Sequence, residues 1–145
     1  MKIRRRGLAC ALAAAGVAGL CLAGDQEWVA PPEERARPNP VAASPEALQK
    51  GRFLYRKNCQ RCHGEKGKGD GPSGRSGVKP PEDLTSPAKH AKLTDGEIFW
   101  KVSTGRRDGA DVFMPAYKRE IPEEDDRWKV VLFVRTLPTL ASPAP

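Results

Sequence analysis

The chain has 145 residues, of which 39% are hydrophobic, 30% charged and 6% aromatic, with fourteen Gly and fourteen Pro. That length holds one ordinary domain, which excludes an enzyme built from separate cofactor and substrate domains, and the apolar fraction excludes wholesale disorder. No apolar run reaches the roughly 18 residues of a committed membrane span, and the formal charge of +7 invites a nucleic-acid partner.

The N-terminus removes that invitation. Met1-Lys2-Ile3-Arg4-Arg5-Arg6 is a basic stub before an apolar stretch of 17 residues from Gly7 to Ala23. Small residues close the stretch, and the chain turns polar at Gly24-Asp25-Gln26-Glu27. This is the three-part pattern of an export signal, predicted over residues 1–23 with cleavage after Ala23 or, second, after Gly24. An uncleaved anchor is the main alternative, and membrane association is expected only then or if Cys21 is lipidated. Bulky Leu20 argues against lipidation, whose processing wants a small residue there. The mature chain keeps 21 Lys and Arg against 18 Asp and Glu, a net +3, which carries no nucleic-acid claim. It also loses Cys10 and Cys21, so Cys59 and Cys62 stand alone without a disulfide framework.

Residues 24–43 are Pro-rich and charged, without lasting apolar periodicity, and read as a flexible lead-in. The domain is predicted over residues 44–138. Ser44-Pro45-Glu46 joins a capping hydroxyl, a first-turn proline and an acid; the helix it starts should reach about Asn58 and deliver Cys59. From Gly64 to Leu93 the chain is Gly- and Pro-rich loop, unusual in a compact domain unless it wraps something other than protein. Thr94-Asp95-Gly96-Glu97 starts a second helix that Gly105 stops. Residues 106–120 form another loop, and a last helix begins at Pro122 and ends at Pro138, with residues 139–145 a disordered tail. No strand and no internal repeat is predicted, so the fold class is all-α with long loops.

Cys59-Gln60-Arg61-Cys62-His63 carries the chemistry. Two thiols three positions apart, followed directly by an imidazole, form the attachment pattern of a c-type haem. One turn of chain lets both sulfurs reach one porphyrin edge, and the adjacent imidazole supplies an iron ligand. Three other readings compete. A redox dithiol normally sits where a strand meets a helix. A zinc site wants a second ligand pair, and only His90 is available beyond His63. A disulfide across two intervening residues would be strained.

With these residues in place, the chain resembles the class I cytochromes c, small soluble mono-haem electron carriers of bacterial periplasms. The resemblance covers about Ser44 to Leu137. It rests on the attachment motif with Gly64, on Gly67-Lys68-Gly69-Asp70-Gly71-Pro72, on Pro80-Pro81-Glu82-Asp83-Leu84 and on Met114-Pro115-Ala116-Tyr117. Apart from Met1, Met114 is the only methionine; it lies 51 residues after His63 in a polar loop, where core packing explains it poorly. A thioether suits low-spin iron, and in the family a methionine followed by proline and a small residue is the usual distal-ligand context. The alternatives are a gap-filling methionine and His90 as distal ligand, although His90 is expected to be solvent-exposed. The resemblance further implies that the carbonyl of Pro80 or Pro81 holds the second ring nitrogen of His63. It implies that Gly51 and Tyr55 cross the last helix near Trp128 and Leu132. Trp100 or Arg106 is a candidate partner for a haem propionate, the alternatives being core packing for Trp100 and a solvated surface position for Arg106.

The function expected is periplasmic one-electron transfer by a single covalent haem c held by Cys59 and Cys62, with His63 and Met114 as axial ligands. No catalytic acid, base or nucleophile is needed, so the chain is read as a carrier and not an enzyme. Its partners are a redox donor and acceptor. Ser44 to Ala110 carries fourteen Lys and Arg against eight Asp and Glu, a local +6 that suits an acidic docking face. Two alternatives remain open: a cytochrome subunit of a periplasmic dehydrogenase or oxidase, and a haem enzyme or sensor with an open distal position.

Overall fold

A computed structural model describes residues 28–74 and 79–141. The predicted signal, including its cleavage site and Cys21, lies outside the described residues. Among the described residues, six helices and one hairpin follow in order: α1 (Pro32–Arg35), α2 (Pro45–Asn58), α3 (Gln60–His63), α4 (Pro87–His90), α5 (Asp95–Thr104), β1 (Arg106–Asp108), β2 (Asp111–Met114) and α6 (Glu124–Ala141). The fold is all-α apart from that small antiparallel pair.

Local chemistry sets the main helix starts. The Ser44 hydroxyl accepts from the Ala47 amide at 3.1 Å, and the Thr94 hydroxyl accepts from the Glu97 amide at 3.1 Å, each filling one orphan donor of a first turn. Gly105, at φ +65°, ends α5. Helix α6 begins at Glu124, two residues later than Pro122. Buried Arg127 explains the delay, because its guanidinium donates to the carbonyls of Ile121 (2.6 Å) and Pro122 (2.9 Å) and holds that turn outside the helix.

The core is the crossing of α2 on α6. Trp128, Tyr55, Leu137, Val130 and Val131 are its largest fully buried side chains. Close approach requires Gly51: a Cβ there would lie 2.0 Å from the Lys129 carbonyl oxygen and 3.2 Å from Phe133 Cβ. One turn on, Tyr55 packs against Phe133 with ring centroids 5.1 Å apart. The expected crossing is present, one residue along from Trp128 and Leu132. Asp126 clamps the two helices from outside, bonding Lys129 at 2.9 Å and Lys50 at 3.2 Å.

Three expectations are overturned. Residues 28–43 form no flexible lead-in but a folded strap. Arg37 lies over both rings of the stacked Phe99–Trp128 pair, at 4.8 and 5.3 Å from the centroids, and pairs with Glu34 and Glu124. Asn39 donates to the Trp128 carbonyl at 3.2 Å, and the strap backbone lies so close to α5 that a Cβ on Gly96 would meet the Glu34 carbonyl oxygen at 1.9 Å. Loop 106–120 contains the hairpin, whose pairing of Arg107 with Val112 and Asp108 with Asp111 leaves its strands largely exposed; strands of three and four residues, Arg-Arg-Asp and Asp-Val-Phe-Met, are too short to show an apolar alternation in sequence. Helix α6 runs through Pro138 to Ala141, because fully buried Leu137 anchors its last turns to the core, so residues 139–141 of the expected disordered tail are helical, and residues 142–145 lie outside the described residues.

Gly51→Ala is expected to cost about 2–3 kcal/mol by forcing the helices apart, measured by chemical denaturation. Burial pushes the Asp126 carboxyl up, but Lys129 and Lys50 outweigh this and hold it below the ordinary aspartate value. A carboxylate with a depressed folded-state pKa stabilises above its unfolded pKa, and the benefit is lost as pH falls through the folded value. Stability of Asp126→Asn should therefore decline less than that of the parent on acidification through the carboxylate range.

Candidate cofactor site

Helix α2 ends where the attachment motif begins. The Cys59 amide still donates to Tyr55 at 2.8 Å, so Cys59 inherits the buried face of α2, and α3 then turns the chain through Cys62 and His63. The carbonyls of Arg61, Cys62 and His63 have no helix to continue into. They are taken instead by the amides of Ser73 (2.9 Å), Gly71 (3.1 Å) and Gly69 (2.8 Å). The glycine loop thus wraps back over the attachment turn. Gly69, at φ +76°, is also where the loop meets the Pro81 carbonyl oxygen, which would lie 2.5 Å from any Cβ there.

That contact decides the support of His63. The Pro81 carbonyl faces Gly69, and the acceptor for His63 Nδ1 is the Glu82 carbonyl at 3.1 Å, one residue beyond the expected pair Pro80 and Pro81. A carbonyl only accepts, so Nδ1 carries the proton and Nε2 keeps its lone pair. Burial lowers the His63 pKa, which favours the same neutral imidazole.

Cys59, Cys62, His63 and Met114 line one cavity of about 640 Å³, within the roughly 300–1,000 Å³ typical of cofactor sites. Ile98, Val102, Val130 and Val134 supply apolar wall. Both cysteines are free thiols, and burial together with the neighbouring Cys62 pushes the Cys59 thiol up to about 12. Two thiols, one neutral imidazole and one thioether around an apolar cavity are the donor set of a c-type haem. Among the described residues no three His, Cys, Asp or Glu side chains gather as an ion site, which disfavours zinc.

The Met114 segment is tied to both sides of the site. Gly105 packs on it so closely that a Cβ would lie 2.4 Å from the Met114 carbonyl oxygen. The Tyr117 amide donates to Val102 at 3.0 Å, and the Tyr117 hydroxyl donates to the Asn58 carbonyl at 2.8 Å, next to Cys59. Tyr117 therefore links the methionine loop to the attachment helix, a role its place after Met114-Pro115-Ala116 did not reveal.

His90 is half-buried on the cavity wall and not solvent-exposed as expected. Its Nε2–H donates to the Leu84 carbonyl at 2.7 Å, leaving a buried Nδ1 without a partner. Arg135 fixes the surrounding segment through the carbonyls of His90 (2.9 Å) and Leu93 (2.7 Å) and through Asp95 (2.7 Å). Arg106 lines the cavity, whereas Trp100 is not among the lining residues and packs on Trp28 with centroids 6.4 Å apart. Trp28 and Arg35 of the strap also reach the cavity, a contribution hidden in the sequence by the Pro-rich composition around them.

Residues 46–134 match the family described as cytochrome c oxidase, cbb3-type, subunit III. No curated protein is significantly similar to the chain. Among solved structures, a chain of the Kuenenia stuttgartiensis reducing HAO-like protein complex has the same fold, with a TM-score of 0.54 and 24% identity. The alignment covers 68% of this chain and 46% of that one.

Tyr117→Phe removes one hydrogen bond and strands the Asn58 carbonyl. Thermal or denaturant unfolding should register a loss of about 1–2 kcal/mol.

Proposed function

The chain belongs to the c-type cytochromes, in the family described as cytochrome c oxidase, cbb3-type, subunit III, and on that premise we propose a periplasmic one-electron carrier with Cys59, Cys62, His63 and Met114 as its haem-binding residues. A domain of this family carries covalent haem c and works by electron transfer. When bound, the haem supplies a one-electron Fe(III)/Fe(II) couple. Every other contribution comes from the chain.

The observation that carries the reading is the state of His63. Its Nδ1 proton is committed to Glu82, so the ring offers an unprotonated Nε2 on the same cavity as two free thiols. Cys59 and Cys62 would hold the cofactor by thioether bonds, and their spacing on one turn sets its edge against His63. Met114 would supply the second axial donor. His90 competes poorly, because its Nε2 is engaged by Leu84 and only Nδ1, next to its own main chain, is left. If His63 and Met114 both hold the iron, the protein itself would occupy the positions a substrate needs, which favours a carrier over a haem enzyme. Tyr117, Gly105 and the glycine loop hold the donors in place, so the two oxidation states need little rearrangement. The apolar wall of Ile98, Val102, Val130 and Val134, with a thioether ligand, would favour a raised potential.

The basic, apolar and small-residue pattern of residues 1–23 supports export. Exposed Lys79 and Lys92 among the cavity-lining residues support docking to an acidic redox partner, which would raise the association rate more than the affinity. A second reading, a cytochrome subunit of a larger oxidoreductase, is favoured by the oxidase subunit named in the matching family; co-purification in a stable complex would select it.

The test is the visible spectrum of the exported protein with Met114→Ala. The parent should show covalent haem by pyridine haemochrome and a low-spin spectrum. Met114→Ala should lose the low-spin features and drop in potential by on the order of 100 mV, whereas His90→Ala should keep both. An unaltered spectrum in Met114→Ala removes that ligand assignment.

A further inference from the structure

The strap brings to the cavity a set of polar groups that electron transfer through His63 and Met114 leaves without a task. Trp28 lines the cavity, and its indole Nε1–H is buried with no hydrogen-bond partner. Buried donors are normally matched to an acceptor, since leaving one unmatched costs about 1–3 kcal/mol. Two cations stand over the same ring: Lys101 Nζ at 5.1 Å and Arg106 Cζ at 6.0 Å from the centroid. Buried Glu97 joins Lys101 at 2.9 Å to Arg35 of the strap at 3.4 Å. All five side chains line the one cavity. Three cations against a single carboxylate leave two positive charges in excess beside an unmatched N–H. Such a set is complementary to a pair of carboxylates that accept hydrogen bonds.

We infer that the strap is a built part of the haem site, with Trp28 donating through Nε1 to a propionate carboxylate of the haem and Lys101 and Arg106 neutralising the propionate pair. This rests on the haem reading above and extends it to residues outside the matched span of 46–134. Trp28 is a positioning residue. It seats the carboxylate edge, while its ring packs on Trp100 and the Arg35–Glu97 pair fastens the strap to α5. A propionate stripped of its donor has its negative charge less compensated near the iron, which favours the oxidised state.

Redox titration of the exported holoprotein tests this with two conservative variants. Trp28→Phe keeps an aromatic ring against Trp100 but loses the N–H together with the fused five-membered ring, so the ratio of reduced to oxidised protein at the parent's midpoint should fall roughly threefold. Trp100→Phe should leave the ratio unchanged. A parent-like ratio in Trp28→Phe, or the same fall in Trp100→Phe, overturns the assignment. Should Trp28→Phe fail to accumulate, indole N–H exchange in the reduced parent decides. In the holoprotein the Trp28 indole proton should exchange at least about tenfold slower than a solvent-exposed indole N–H, and exchange at the exposed rate rejects the bond. Covalent haem with parental redox behaviour in Trp28→Phe would sink this inference alone. Absence of covalent haem in the parent would sink the carrier reading with it.

Discussion

Three carbonyl oxygens, those of Arg61, Cys62 and His63, impose the central constraint on this molecule. They point out of a turn too short to satisfy them within itself. The amides of Ser73, Gly71 and Gly69 answer them, which is why a long glycine-rich loop survives inside a small domain. Once that loop is wrapped, its contact with Pro81 places the Glu82 carbonyl on His63 Nδ1 and so chooses the tautomer of the ring. Backbone hydrogen bonding, and not the imidazole itself, thus prepares the nitrogen proposed to meet the iron.

The same economy of connection runs through the rest of the site. Tyr55, at the α2–α6 crossing, donates to the Gly64 carbonyl at 2.8 Å and joins the core to the end of the attachment turn. Tyr117 makes the corresponding link from the Met114 loop to Asn58. The two hydroxyls bracket Cys59, and burial raises the pKa of both, so they remain donors throughout the physiological range. Arg135 of α6 pins the segment that carries His90. Each wall of the cavity is therefore referred to α2 or α6, and the position of the cavity follows from how closely those helices cross at Gly51.

The strap shows how composition misleads. Residues 28–43 have the proline and charge content of a linker, yet Arg37 covers the Phe99–Trp128 stack and Asn39 reaches the Trp128 carbonyl. Its order comes from contacts with residues about sixty to ninety positions away in the chain, which no local pattern records. The hairpin was illegible for a related reason. Its strands are short and exposed, and their pairing depends on the turn at Gly109 and not on alternating apolar residues.

What the sequence determined by itself was everything written in local spacing: the caps at Ser44 and Thr94, the stop at Gly105, the all-α class, and the thiol–thiol–imidazole string that names the cofactor. These depend on a few consecutive residues and on the 3.6-residue period. Tertiary structure alone decided that Glu82 and not Pro80 or Pro81 holds His63, that His90 is half-buried, and that Trp28 joins the cavity. Those outcomes turn on which carbonyl a folded loop presents and which distant surface a segment covers, and they exist only when separate parts of the chain are brought within hydrogen-bonding distance.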